Sequence, residues 1–125
     1  MNMWKPLLAG ALVAILLPVL SGKSDESKQR DEMLLKLDYT KEIVGGLVTE
    51  DFDKILKGAD SLNRLGKRKW VANETAAYRT QNQVFWFTTG SLVYAAENEN
   101  IDGATLAYTQ MMHSCVNCHK LIRRQ

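Results

Sequence analysis

The run Cys115-Val116-Asn117-Cys118-His119 ends six residues short of Gln125 and decides how this 125-residue chain is to be read. Both cysteines of the chain lie in it. Two thiols three positions apart and an imidazole immediately after them form the C-x-x-C-H pattern of covalent c-type haem attachment. The spacing suits that chemistry, because each thiol must reach one vinyl group on a porphyrin edge while the imidazole reaches the iron from one face. On a helix, positions i, i+3 and i+4 share a face, so Cys115, Cys118 and His119 point at one plane.

Other uses of these residues fit less well. A thioredoxin-like pair needs a reactive thiol at a helix N-terminus, whereas this pair ends a helical segment and no βαβ pattern surrounds it. Zinc would draw on Cys115, Cys118, His119 and His113, but structural zinc sites usually take their ligands from two separated pairs, and no second pair exists. A disulfide across C-x-x-C within a helix fits disulfide geometry poorly.

Outward from the motif, the chain divides into four helical segments. The segment 24–47 repeats Met33, Leu37, Val44 and Leu47 at helical spacing, widened by Leu34 and Ile43, with Ser24 expected as its cap and Gly45-Gly46 weakening its end. Thr49 is expected to cap a second helix over 50–65, with Phe52, Ile55, Leu56, Ala59 and Leu62 on one face and Gly66 ending it. Lys67-Arg68-Lys69 is expected to form an exposed turn. Asn73 is expected to cap a third helix reaching about Ala96 and carrying Ala77, Val84, Phe87, Ser91, Leu92 and Ala95. Phe85, Trp86 and Phe87 point about 100° apart, so they do not share one core, and one of them faces solvent or a subunit partner. After a turn at Glu97-Asn98-Glu99-Asn100, a fourth helix runs from Ile101 to about Arg124, with Ala104, Met111, Cys115, Cys118 and Ile122 on the cofactor face. No strand alternation, repeat or low-complexity stretch interrupts this pattern. The fold class is therefore all-α, most simply an antiparallel up-down-up-down four-helix bundle with one covalently bound haem near the C-terminal end of the fourth helix.

Residues 1–22 hold one charge, Lys5, then an apolar run interrupted by Pro18 and closed by Ser21 and Gly22. These are the parts of a signal peptide, and an uncleaved anchor is the alternative. Residues 23–125 then form the single domain, exported or periplasmic, in keeping with attachment of covalent haem outside the cytoplasmic membrane. The chain carries 16 Lys and Arg against 14 Asp and Glu, which argues against bulk nucleic-acid binding.

From Lys28 to Arg124 the chain resembles the cytochrome c′ family, the class II c-type cytochromes. The resemblance rests on the C-terminal placement of Cys115, Cys118 and His119, on Arg123 four residues beyond the histidine, on the opening Gln29-Arg30-Asp31-Glu32-Met33-Leu34-Leu35-Lys36-Leu37, and on Asp51-Phe52-Asp53. It fails in the connection 66–73. It implies haem c held by Cys115 and Cys118, His119 as proximal iron ligand, and Arg123 near a haem propionate. The other role of Arg123 is to complement the helix dipole. Low-spin members carry a methionine iron ligand near the start of the first helix, and Met33 falls at that position.

Met33 also belongs to the apolar stripe and is core by periodicity alone. In an antiparallel bundle it lies roughly 13 Å along its helix, level with the motif roughly 10 Å from the other chain end. His/Met ligation would make the protein a monohaem electron carrier rather than an enzyme; a core Met33 would leave a five-coordinate, NO- or CO-binding site. No distal His-Arg pair supports a peroxidase, and His113 reads as a surface helix residue. The expected partners are redox proteins, with Lys67, Arg68 and Lys69 near Lys120, Arg123 and Arg124, offset by Asp25, Glu26, Asp31 and Glu32. The family also implies a homodimer through the first two helices, where Leu34 and Ile43 are the candidate apolar contacts.

Overall fold

The computed structural model describes residues 21–70 and 75–124, and all of its regular structure is helical. Helix α1 spans Ser21–Thr49, α2 Phe52–Trp70, α3 Ala76–Glu97 and α4 Ile101–Ile122. They pack against one another as a four-helix bundle, with broad contacts between α1 and α2, α2 and α3, and α3 and α4, and only a narrow one between α1 and α4. No helix among the described residues is long and apolar enough to cross a membrane. Residues 1–20, which hold most of the expected signal segment, and Asn73, the expected cap of α3, lie outside the described residues.

The helices form where the periodicity places them, but their ends do not follow the expected signals. Ser24 lies inside α1, which is already helical at Ser21 and Gly22. Neither Gly45-Gly46 nor Gly66 ends its helix, because two of these glycines serve packing instead. A Cβ on Gly46 would sit 2.7 Å from Ile55 Cγ1, and one on Gly66 would sit 3.1 Å from Phe85 Cδ1. Helix α2 therefore continues through Lys67 and Arg68, which are exposed on the helix rather than in a turn.

Two connections share one construction. At the end of α1, Glu50 adopts φ 53°, and the Asp51 amide donates to the Gly46 carbonyl at 2.9 Å. At the end of α3, Glu99 adopts φ 51°, and the Asn100 amide donates to the Ala95 carbonyl at 2.9 Å. Each is a Schellman-type closure with glutamate in the left-handed position usually given to glycine. The next residue then caps the following helix: Asp51 Oδ1 accepts from Lys54 N at 3.0 Å and Asn100 Oδ1 from Gly103 N at 2.8 Å. Asp51, not Thr49, is thus the cap of α2. The Thr49 hydroxyl donates back to the Gly45 carbonyl at 2.8 Å. Thr75 caps α3, accepting from Tyr78 N.

The core joins Ile43 of α1, Ile55, Ala59, Leu62 and Leu65 of α2, Phe85, Leu92, Ala95 and Ala96 of α3, and Ala104, Ala107 and Met111 of α4. Ile43 is fully buried, so it is no exposed dimer contact as expected; it packs where Gly58 lets α2 approach. The inward face of α3 also differs from expectation: Ala77, Val84 and Phe87 are exposed, while Asn82, Thr88 and Thr89 are buried. These polar residues tolerate burial because each is hydrogen-bonded. Asn82 Nδ2 donates to the Gly66 carbonyl at 2.8 Å, Asn63 Nδ2 to the Trp86 carbonyl at 2.9 Å and to Thr89 Oγ1 at 3.1 Å, and both threonine hydroxyls to the Phe85 carbonyl.

Candidate functional site

Where α1 and α4 barely meet, a cavity of about 360 Å³ opens, within the range of roughly 300–1,000 Å³ usual for small-molecule sites. Helix α1 contributes Arg30, Met33, Leu34, Lys36, Leu37 and Thr40 to its wall. These fall at 30, 33, 34, 37 and 40, the i, i+3, i+4 spacing of one helix stripe, with Lys36 at its edge. From the start of α3 come Tyr78, Gln81, Asn82 and Phe85, and from the end of α4 Met112, Ser114, Cys115, Cys118, His119 and Ile122.

The cavity therefore brings both cysteines and His119 together with Met33 from another helix. Cys115 and Cys118 are half-buried, His119 is exposed, and Met33 is half-buried. Neither thiol is in a disulfide. Ser114, behind them, is buried and donates its hydroxyl to the Met111 carbonyl at 2.7 Å. Burial pushes the Cys115 thiol up and the neighbouring Cys118 adds to this, while the Lys36 charge and a hydrogen bond with Ser114 oppose it. Tyr108 is also raised, first by burial and then by the charge of Cys115. The Lys36 ammonium stands 5.4 Å from the centroid of the Phe85 ring, a cation–π contact that holds this cation at the cavity wall.

The remaining expected site residues separate. Ala104 and Met111 face the protein core, so Met112 is the α4 methionine at the cavity. His113 is exposed and lies outside the lining. Arg123 caps α4, and its Nε donates to the His119 carbonyl at 3.2 Å; the arginine at the cavity is Arg30. Arg30, Lys36, Phe85 and Met112 were not expected from the sequence. For the α1 pair the signal was present, since both lie three residues from Met33.

The wall is mostly apolar, with two sulfur nucleophiles and an imidazole on α4, a thioether on α1, and two cations, Arg30 and Lys36. This donor set is complementary to a flat apolar group that carries acidic substituents, a metal and two electrophilic carbons. The residues present thus fit a covalently held haem. Zinc fits less well: among the described residues no three His, Cys, Asp or Glu side chains are grouped to hold a metal ion. In comparisons with protein-family models, curated proteins and solved structures, nothing matches this chain.

Proposed function

We propose that the chain is an exported monohaem c-type cytochrome of the class II kind, an antiparallel up-down-up-down bundle that carries electrons through a His/Met-ligated iron. The observation that carries this reading is the convergence of Met33 from α1 on the cavity that holds Cys115, Cys118 and His119. The pairings of Gly46 with Ile55 and Ile43 with Gly58 between α1 and α2, and of Gly66 with Phe85 and Asn63 with Thr89 between α2 and α3, favour these neighbouring helices running in opposite directions, because one index rises as the other falls.

Haem, when bound, supplies a one-electron iron couple. Cys115 and Cys118 would hold it through thioether bonds, and His119 would bind the iron from the α4 side. Met33, on the same cavity wall, would offer a soft thioether as the second protein ligand and so turn away outside ligands. Leu34, Leu37, Phe85 and Ile122 would pack on the haem's apolar faces and keep water from them, which would keep reorganisation on electron transfer small. Arg30 and Lys36 offer positive charge to acidic substituents. The chain is read as a carrier with redox proteins as partners.

The test is an optical and CO titration of the purified holoprotein beside Met33→Ala. Wild type should be low-spin, with the far-red methionine–iron band, and should bind CO weakly. Met33→Ala should lose that band and bind CO readily. Identical high-spin spectra in both would assign Met33 to the core and favour the five-coordinate, gas-binding alternative. Absence of covalently retained haem after expression with a c-type maturation system would remove the reading altogether.

A further inference from the structure

Helix α3 turns an unusual face to solvent. Residues 80–96 carry no charge in a chain that is 24% charged, yet Phe87 and Tyr94 are 75% and 70% exposed. Arg79, Gln83, Phe87, Gly90, Tyr94 and Glu97 fall within an arc of about 80° at 100° per residue. They therefore form one stripe, roughly 27 Å long. A shallow groove at Gly90, bordered by Trp86, Phe87, Ser91 and Tyr94, lies on it. A Cβ at Gly90 would meet only Asn63 Nδ2, at 3.4 Å, so the space above that glycine is open.

We propose that this stripe is a self-association surface, on which a second copy of the chain packs its own α3 in the opposite direction about a two-fold axis between Thr88 and Thr89. The spacing is self-complementary. Such an axis sets Phe87 over the partner's Gly90 and Tyr94 against the partner's Gln83, each pair reciprocated, as a two-fold interface requires. It also brings Arg79 to within one residue, about 1.5 Å of helix rise, of the level of the partner's Glu97 at both ends.

The two charges support this independently. Arg79 stands at the positive end of its helix dipole and Glu97 at the negative end, each the locally unfavourable choice. Neither has an ion-pair partner among the described residues. In the opposed pair each meets its opposite, and the partner's helix end has the favourable sign as well. A charge-free centre rich in aromatic residues is the compositional mark of an interface core.

The size implies modest affinity. Two Phe87 and two Tyr94 rings contribute of the order of 600–1,000 Å² at about 150–250 Å² each, and with Trp86 and the aliphatic stems the total approaches the lower bound of about 1,200 Å² for stable complexes. The dimer is thus concentration-dependent. It uses a face away from the cavity and stands whether or not that cavity holds haem.

Sedimentation velocity on the purified full chain over a wide concentration range tests this, with far-UV circular dichroism as the check on folding. Wild type should pass from monomer to dimer. Phe87→Glu, and Gly90→Gln, which fills the groove without crowding the monomer, should remain monomeric with unchanged helicity. Arg79→Glu should weaken association about three- to ten-fold, the scale of exposed ion pairs counted twice, and adding Glu97→Arg should restore it. A wild type that stays monomeric throughout, or a dimer untouched by Phe87→Glu and broken instead by Val44→Glu on α1, overturns the proposal.

Discussion

Replacing Gly58 by alanine should destabilise the protein, although alanine is the better helix former by about 1 kcal/mol. An added Cβ would lie 2.8 Å from Ile43 Cγ1 and 3.0 Å from the Tyr39 carbonyl oxygen. Ile43 is fully buried and the carbonyl is backbone, so neither yields by a rotamer change; α1 must move off α2. Overpacking of this kind costs roughly 1–3 kcal/mol, which leaves a net loss of up to about 2 kcal/mol after the propensity gain. Gly45→Ala is the internal control. Its Cβ would meet only the end of the Lys54 side chain, Nζ at 3.1 Å and Cε at 3.4 Å, and that flexible group swings away. The gain of about 0.5–1 kcal/mol in helix propensity should then appear undiminished. Urea unfolding measures both, provided the variants are compared in the same ligand state; the midpoints should move in opposite directions at an unchanged m-value. Shifts of the same sign would show that α1 and α2 are not held at the separation these glycines imply.

Glu50 and Glu99 occupy left-handed backbone, which costs an L-residue about 1–2 kcal/mol relative to glycine; Glu99→Gly should therefore raise stability by about 0.5–1 kcal/mol, read as an upward shift of the urea midpoint. In the chain without thioether bonds, burial holds Cys115 protonated beyond its ordinary value of 9.0. Above that pH the unfolded chain gives up the proton first, so it binds fewer protons than the folded chain, and stability should fall as pH rises. Urea midpoints from pH 7 to 10.5 should show a steeper decline in wild type than in Cys115→Ser; parallel curves would refute burial as the cause.

The four helices were legible because an apolar period of 3.6 survives local irregularity, and Ile55, Ala59 and Leu62 are buried as their spacing requires. Their ends were not, because end signals rest on residue types that do two jobs. Gly46 and Gly66 stand where a helix stop was expected, but their missing side chains are used to bring neighbouring helices close, while the left-handed positions went to glutamates. The inward face of α3 misled for a related reason: Asn82, Thr88 and Thr89 look like surface residues until their bonds to the Gly66, Val84 and Phe85 carbonyls are known. At the site, the motif and Met33 could be read from the chain, and Lys36 follows from its spacing to Met33, but Phe85 and Met112 could not, since they join Met33 at one cavity only once three helices are assembled. That assembly is uneven. Helix α1 is seated on α2 along Ile43, Gly46 and Gly58 and scarcely touches α4, so the wall bearing Arg30, Met33 and Lys36 is positioned mainly from α2, with the Lys36–Phe85 contact as its tie at the cavity itself. A group filling the cavity would therefore add to the α1–α4 contact that the chain itself leaves thin.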